Sequence, residues 1–113
     1  MKRKGNILDL ETPDIDIGEL ISSSDVVVLD FWAPWCVPCH SINILVEKIA
    51  RRCPSILFIK INLDTAPEMG SKLGVMSVPT ILIFAKRRLV TRLSGILEAN
   101  TLDKKLFEIV GRC

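Results

Sequence analysis

The sequence predicts a fold of the α/β class, with a central mixed β-sheet flanked by helices on both faces. Two short apolar tracts, VVVLDFW (26–32) and SILFIKINL (55–63), are typical of strands that are buried on both faces. An amphipathic segment lies between them, so the three form a βαβ unit with parallel strands. A later hairpin adds an antiparallel pair, which makes the sheet mixed.

The predicted elements, in chain order, are an outer strand over 6–10, a helix over 15–22, a strand over 26–32, a helix over 40–51, a strand over 55–63, a helix over 67–73, strands over 80–84 and 89–93, and a helix over 101–110. The helix over 40–51 is predicted by one apolar stripe, with Glu47 and Lys48 off that stripe. Pro67 begins the next helix and Gly74 follows it. The residues AKRR (85–88) separate the hairpin strands and give the hairpin a basic tip. Gly111 follows the last helix.

Length and composition limit the class of protein. The chain has 113 residues, the size of one ordinary domain, and we expect a single domain over 1–113. It is 49% hydrophobic and 25% charged, with a formal net charge of +2. This balance is typical of a soluble globular protein and argues against disorder and against a dedicated nucleic-acid binder.

The start of the chain, MKRKGNILDLETPD, is basic, but only the apolar pair Ile7 and Leu8 follows before Asp9. A signal peptide needs a longer hydrophobic region, so we expect a cytoplasmic protein. No stretch approaches the roughly 18 apolar residues of a membrane-spanning helix, and no membrane association is expected.

The chain contains four cysteines, at positions 36, 39, 53 and 113. In a reducing compartment these spacings do not predict a structural disulfide framework, which moves the interpretation toward redox or metal chemistry. Zinc is disfavoured because no second closely spaced pair completes four ligands, and no metal site is predicted. Cys53 and Cys113 each stand alone and are expected to be spectators.

Cys36 and Cys39 lie where the first strong strand gives way to a helix. At a helix N-terminus the unpaired N–H groups and the helix dipole favour a thiolate, so Cys36 is the candidate nucleophile. Pro38 has no N–H, which leaves the amide of Cys39 as the natural donor to the sulfur of Cys36. Cys39, one turn further in, is the candidate resolving cysteine.

Two charged residues interrupt the apolar strands. Burial of Asp30 should raise its pKa, and such a carboxyl group could exchange a proton with Cys39. Lys60 breaks the second strand in the same way and could lie beside Asp30 in a parallel pair. The alternatives are an Asp30 satisfied at a strand end and a Lys60 that extends its ammonium group to solvent.

Together these residues resemble the thioredoxin family. The matching segments are DFWAPWCVPC (30–39), KINLD (60–64) and VPT (78–80), with Gly95 after the hairpin, and they cover nearly everything after residue 20. The resemblance implies a thioredoxin fold and a dithiol–disulfide reductase. It assigns Cys36 as the attacking cysteine and Cys39 as the resolving one, Asp30 as the buried acid and Lys60 as its neighbour.

The resemblance also implies a cis peptide bond between Val78 and Pro79, facing the dithiol. Partners would dock on an apolar patch formed by Trp35, Pro38, Val78, Pro79, Gly95 and Ile96. No bound cofactor is implied besides the redox-active disulfide itself, and electrons would come indirectly from NADPH. The implied partners are a thioredoxin reductase and disulfide-containing substrate proteins, with the protein acting as a monomer.

Two residues of the motif depart from the family pattern. Val37 replaces the usual glycine, and His40 stands where Lys or Arg is common, so a charge there would depend on pH. Two other functions stay open: a thiol oxidase or isomerase of the same fold, and a non-enzymatic docking module whose dithiol is incidental.

Overall fold

The computed structural model describes residues 2–11, 16–95, 99–111 and 113. In chain order the elements are β1 (Lys2–Lys4), β2 (Ile7–Leu10), α1 (Ile17–Ser22), β3 (Val26–Trp32), α2 (Val37–Arg52), β4 (Ile56–Asn62), α3 (Pro67–Lys72), β5 (Thr80–Ala85), β6 (Arg88–Ser94) and α4 (Ala99–Val110). Every element predicted from the sequence is present, with bounds shifted by a few residues, and β1 is an addition.

The six strands form one mixed sheet in the order β1-β2-β4-β3-β5-β6. β4 pairs in parallel with both β2 and β3, whereas β3 with β5 and β5 with β6 are antiparallel. The predicted parallel pairing of the two apolar tracts and the predicted hairpin are therefore confirmed. The register sets Lys60 of β4 opposite Asp30 of β3 and also opposite Asp9 of β2.

Helices cover both faces of this sheet, because side chains along each strand alternate between the faces. One face packs against α1 and α3 through the buried side chains Leu29, Phe31, Ile59, Leu20 and Met69. The other packs against α2 and α4 through Val28, Phe58, Val46, Ile49, Leu102 and Leu106. By the same alternation Asp9, Asp30 and Lys60 lie on the side of the sheet that α2 and α4 cover.

The long helix α2 begins three residues before its predicted start. Cys36 is its N-cap residue and adopts extended backbone angles, while Pro38 falls in the first turn, where a missing N–H costs no helical hydrogen bond. The apolar stripe that predicted the helix begins only at Ile42, which is why the first turn was missed. The earlier start places Cys39 inside the helix.

The strand β1 was missed because its sequence, KRK, carries no apolar residue. Within the described ranges it pairs only with β2 and forms the edge of the sheet, so the predicted outer strand is in fact second from the edge. At the opposite edge, Lys86 and Arg87 connect β5 and β6 with positive φ angles of 50° and 70°. Positive φ at both central residues is the geometry of a type I′ turn. None of the helices within the described ranges is long and apolar enough to cross a membrane.

Candidate functional site

Cys36 and Cys39 form a disulfide at the start of α2, with their Cα atoms 5.3 Å apart. The backbone N–H of Cys39 donates to Sγ of Cys36 across 3.3 Å, as expected from the position of Pro38. The same contact serves as the side-chain cap of the helix. A donor at this position and the positive end of the helix dipole stabilise a thiolate at Cys36 once the bond is reduced.

The pair is nearly buried, and only Cys36 retains exposed surface. Its exposed fraction is 4%, whereas that of Cys39 is 0%. Both pack with Ala33, and Trp32 and Val78 close over them. An incoming disulfide would therefore reach Cys36 before Cys39.

The segment opposite the pair contains the cis peptide bond expected between Val78 and Pro79. Val78 contacts the cysteine pair, and the N–H of Gly95 donates to the carbonyl of Pro79 at 3.1 Å. After the proline, the hydroxyl of Thr80 donates to the carbonyl of Ser77 at 2.8 Å. These bonds hold the loop before β5 against the end of β6 and bring Gly95 to the same edge of the molecule.

Apolar side chains surround the disulfide on the surface. Trp35, Val37 and Met76 are 69%, 77% and 85% exposed, and Pro38 is exposed beside them. Together with Val78 these four residues form what we call the apolar rim. The indole N–H of Trp35 donates to Oδ1 of Asp64 at 3.2 Å, which fixes the ring at one side. An open cleft of about 280 Å³ lies at one side of the rim, where Trp35, Met76 and Val78 face Pro67 and Ser71 of α3.

Three members of the expected docking patch, Trp35, Pro38 and Val78, belong to this rim. Pro79 is buried, so its ring lies beneath the surface, and Ile96 lies outside the described residues. Sequence reasoning missed Met76, an apolar residue in a loop two positions before Val78. The family motif in this segment begins only at Val78, so it gave no signal for Met76.

Asp30 is fully buried, and neither of its carboxylate oxygens has a hydrogen-bond partner among the residues that the structure describes. Burial raises the pKa of this carboxyl group to about 7, because a charge without solvent or partners is unfavourable; the Lys60 ammonium lowers the pKa and the Asp9 carboxylate raises it further. Asp30 and Trp32 share one face of β3, two residues apart, and Trp32 packs on the cysteine pair. The acid therefore lies on the side of the sheet that carries the disulfide.

Lys60 is 8% exposed and lies opposite Asp30 in the sheet, as expected, but its ammonium group points elsewhere. Its Nζ is 3.6 Å from Oε1 of Glu47 on α2. An open cavity of about 340 Å³ is lined by Lys60, Glu47 and Asp9. The cavity lies on the β2 side of Lys60, away from β3, the strand that carries Asp30. The sequence did not predict the role of Glu47, although its place beside the apolar stripe of α2 was a usable signal.

His40 lies in the first turn of α2 and is exposed. Its Nε2 lies 2.9 Å from the carbonyl oxygen of Pro34, and since a carbonyl can only accept, the ring nitrogen donates. The ring also meets Trp32 edge-on at a centroid distance of 6.4 Å. His40 thus ties the loop before Cys36 to the helix after it.

The prediction that Cys53 and Cys113 are solitary spectators is wrong, because the structure joins them in a second disulfide. The prediction failed because the two residues are 60 positions apart and meet only when α4 packs on α2. Within the described ranges no group of three or more His, Cys, Asp and Glu side chains could hold a metal ion.

Comparisons with known proteins agree with this geometry. The family model "Thioredoxin" matches residues 15–108. Thioredoxin 1 of Synechococcus elongatus is 39% identical over 93 residues, which cover 78% of this chain and 87% of that protein. A chloroplastic M-type thioredoxin of Brassica napus is 39% identical over 84 residues, which cover 74% of this chain and 48% of that protein.

Among solved structures, a point-mutant thioredoxin from Halobacterium salinarum superposes with a TM-score of 0.81 at 27% identity. The match covers 96% of this chain and 95% of that one. The fold, the paired cysteines and the sequence relatives therefore point to one family.

Proposed function

Because the chain belongs to the thioredoxin family and is a protein dithiol–disulfide oxidoreductase, we propose that Cys36 and Cys39 reduce disulfides of substrate proteins through a mixed disulfide. The Cys36 thiolate attacks one sulfur of the substrate disulfide, and the other substrate sulfur leaves as a thiolate and takes up a proton. Cys39 then attacks Sγ of Cys36 and releases the second substrate thiol. The protein is left with the Cys36–Cys39 disulfide, the form described above.

The observation that carries this proposal is the position of the disulfide. Cys36 caps α2, receives the N–H of Cys39, and is the only member of the pair with exposed surface. An attacking thiol needs a stabilised thiolate and access, and a resolving thiol needs protection from solvent. The relatives are named thioredoxins, which favours the reductase over an oxidase, an isomerase or a docking module.

Asp30 is proposed to exchange the proton of Cys39. A pKa of about 7 leaves this acid partly protonated near neutral pH, so it can accept a proton when Cys39 attacks and return one in the reverse direction. Lys60 is proposed to moderate the charge of Asp30, since its ammonium lowers the pKa of that carboxyl group. Asp30 is the group in proton transfer, and Lys60 acts through it.

Substrate docking is proposed for the apolar rim together with Pro79, Gly95 and Ile96. An extended substrate segment could pair with the backbone near Val78 while its side chains enter the cleft beside Trp35. What supports this is that Trp35, Val37 and Met76 are large, apolar and exposed around the only accessible sulfur of the pair.

We further propose that a thioredoxin reductase restores the dithiol with electrons that come from NADPH, and that the protein works as a monomeric single domain with no other bound cofactor. Family membership supports these partners. The reducing cytoplasm is the proposed location, since a reductase must be kept reduced. A chloroplastic relative makes the chloroplast the competing location.

The test is disulfide reduction of a protein substrate with dithiothreitol as the source of electrons. Cys36→Ser should abolish the catalysed rate. Cys39→Ser, reduced beforehand and then freed of dithiothreitol, should accumulate a one-to-one mixed disulfide with the substrate, visible by mass spectrometry. Cys113→Ser is the matched control and should keep the rate of the unaltered protein. A Cys36→Ser variant with an unchanged rate would overturn the proposal.

The direction of electron flow is tested separately, by equilibrating the Cys36–Cys39 pair with glutathione buffers. A reductase needs a potential below the cytosolic glutathione poise, which is about −220 to −260 mV by extraction methods. A value well above that range would make the protein an oxidant and would contradict the proposed direction.

A further inference from the structure

The second disulfide joins α2 to the residue Cys113, beyond the end of α4. Cys53 is the C-cap residue of α2; its N–H donates to the carbonyl of Ile49 at 2.9 Å, and it is 3% exposed. Cys113, its partner, is exposed. The pair therefore has one exposed residue and one shielded residue, whereas both residues of the pair at the other end of the helix are buried.

Contacts besides this bond also join α4 to α2. Leu102 and Leu106 of α4 are buried in the same core cluster as Ile49 and Cys53. Beside them, Nη2 of Arg52 donates to Oδ1 of Asp103 at 2.8 Å. Since these contacts already hold α4 on α2, the two thiols of a reduced chain are held close together and ready to be oxidised.

The two disulfides lie at opposite ends of one helix, about 25 Å apart at 1.5 Å per residue. One pair cannot reach the other within a molecule. Their electrostatic settings are also opposite. Cys36 meets the positive end of the helix dipole, whereas Cys53 meets the negative end, which disfavours a thiolate there, and burial disfavours it as well.

This setting makes the second bond hard to reduce by thiols. Attack on the sulfur of Cys113, the exposed residue of the pair, must expel Cys53 as a thiolate, a poor leaving group at a buried helix C-terminus. Attack on the sulfur of Cys53 would expel the thiolate of Cys113, which is the better leaving group. Cys53 is buried, however, so an attacking thiol cannot easily reach its sulfur. The small cleft of about 120 Å³ beside the bond, lined by Phe107 and Gly111, is too small for a protein loop.

We propose that Cys53 and Cys113 are a second dithiol–disulfide centre, oxidised through Cys113 and slow to be reduced, which fastens α4 to α2 and takes no part in the reaction of Cys36 and Cys39. In its oxidation the Cys113 thiolate attacks a small disulfide such as oxidised glutathione, and one glutathione thiolate leaves. Cys53 loses its proton and attacks Sγ of Cys113, and the second glutathione leaves. Two protein thiols become one disulfide while one glutathione disulfide becomes two thiols. The centre is independent of the roles proposed for Asp30 and the apolar rim.

The test equilibrates the full chain in a series of glutathione buffers, blocks free thiols after an acid quench and locates the label by peptide mass spectrometry. Cys53 and Cys113 should stay unlabelled in buffers in which Cys36 and Cys39 are already reduced. With excess dithiothreitol, the second bond should open at least about tenfold more slowly than the first, because its leaving thiolate is the poorer one. Labelling of Cys53 and Cys113 in every buffer, or cross-pairing with Cys36, would overturn the proposal.

Two variants separate the parts of the proposal. In the double variant Cys36→Ser/Cys39→Ser, the Cys53–Cys113 disulfide should be reduced in the same glutathione buffer as in the unaltered chain. A shift of this reduction to another buffer would contradict the independence of the two centres. Under oxidising conditions Cys113→Ser should speed hydrogen exchange of the α4 amides at least about tenfold relative to the unaltered chain, as local opening requires. Unchanged exchange in α4 would show that the bond does not fasten the helix.

Discussion

Replacing Asp30 by asparagine should remove a pH dependence of folding that this one residue imposes. Its carboxyl group is fully buried and finds no hydrogen-bond partner in the described part of the chain, and burial raises its pKa from 3.8 to about 7. Between these two values the folded protein holds a proton that the unfolded chain releases. The contribution of Asp30 to stability is therefore greatest below about pH 4, falls as pH rises to about 7, and is level above that.

The size of the effect follows from the two pKa values. At about 1.4 kcal/mol for each pKa unit, the rise from 3.8 to about 7 costs the folded state about 4 kcal/mol at pH 8 relative to pH 4. Asparagine has a similar shape and no charge in this range. Burying the amide of asparagine lowers the free energy of unfolding of the variant by the same amount at every pH. The informative quantity is therefore how the stability difference between the two proteins changes with pH.

This change with pH is measured by urea unfolding of Asp30→Asn and of the unaltered protein, both with their disulfides closed, followed by circular dichroism at a series of pH values. The stability of Asp30→Asn minus that of the unaltered protein should rise by about 4 kcal/mol from pH 4 to pH 8. Other groups titrate in both proteins and cancel in this difference. Asp25→Asn, which changes an exposed acid, is the matched control. A flat difference for Asp30→Asn would refute the argument that desolvation sets its pKa.

Three further changes test other parts of the structure. Cys113→Ser should lower the stability of the oxidised protein by about 4 kcal/mol in urea unfolding, since the bond closes a sequence separation of 60 residues. Glu47→Gln should free the Lys60 ammonium and lower the pKa of Asp30, measured by NMR of the side-chain carboxyl carbon. Met76→Ser should raise KM for a protein disulfide while leaving the rate with a small disulfide unchanged, because only the larger substrate covers the rim.

Each of these changes has a matched control. Cys113→Ser should match the unaltered protein once both are fully reduced, and a difference that persists would assign the loss to something besides the bond. Glu68→Gln, on the opposite face of the sheet, should leave the Asp30 titration in place, so an equal effect would deny Glu47 a specific part. Phe107→Ser changes an exposed apolar residue on α4; if it raises KM as much as Met76→Ser does, the rim is not the docking surface.

The sequence predicted best those elements whose side chains are buried on every side. The tract 26–32 could be identified to the residue because six apolar residues and one acid have no helical period and fill both faces of the sheet. Asp30 could be predicted as a buried acid for the same reason, since a charged side chain within such a tract has no solvent to reach. Cys36 and Cys39 could be identified as a reactive pair because they are three residues apart and lie at the start of a helix.

What the sequence could not predict depends on elements far apart in the chain. Lys60 was placed beside Asp30 correctly by strand register, yet its ammonium pairs with Glu47, and that choice depends on how α2 lies across the sheet. The bond from Cys53 to Cys113 likewise depends on where α4 docks. Neither arrangement leaves a local pattern, since both partners look ordinary within their own segments.

The second disulfide also divides the chain into a covalent ring, residues 53–113, and a tail that precedes it. The ring contributes β4, β5 and β6 to the sheet, while the tail contributes β1, β2 and β3. In the strand order β1-β2-β4-β3-β5-β6 the tail strand β3 lies between two strands of the ring, and the ring strand β4 lies between two strands of the tail. Neither part can therefore be peeled from the sheet without separating the other's strands. A protease that unfolds the protein while this bond is closed would have to take in a covalently closed loop instead of a single extended chain.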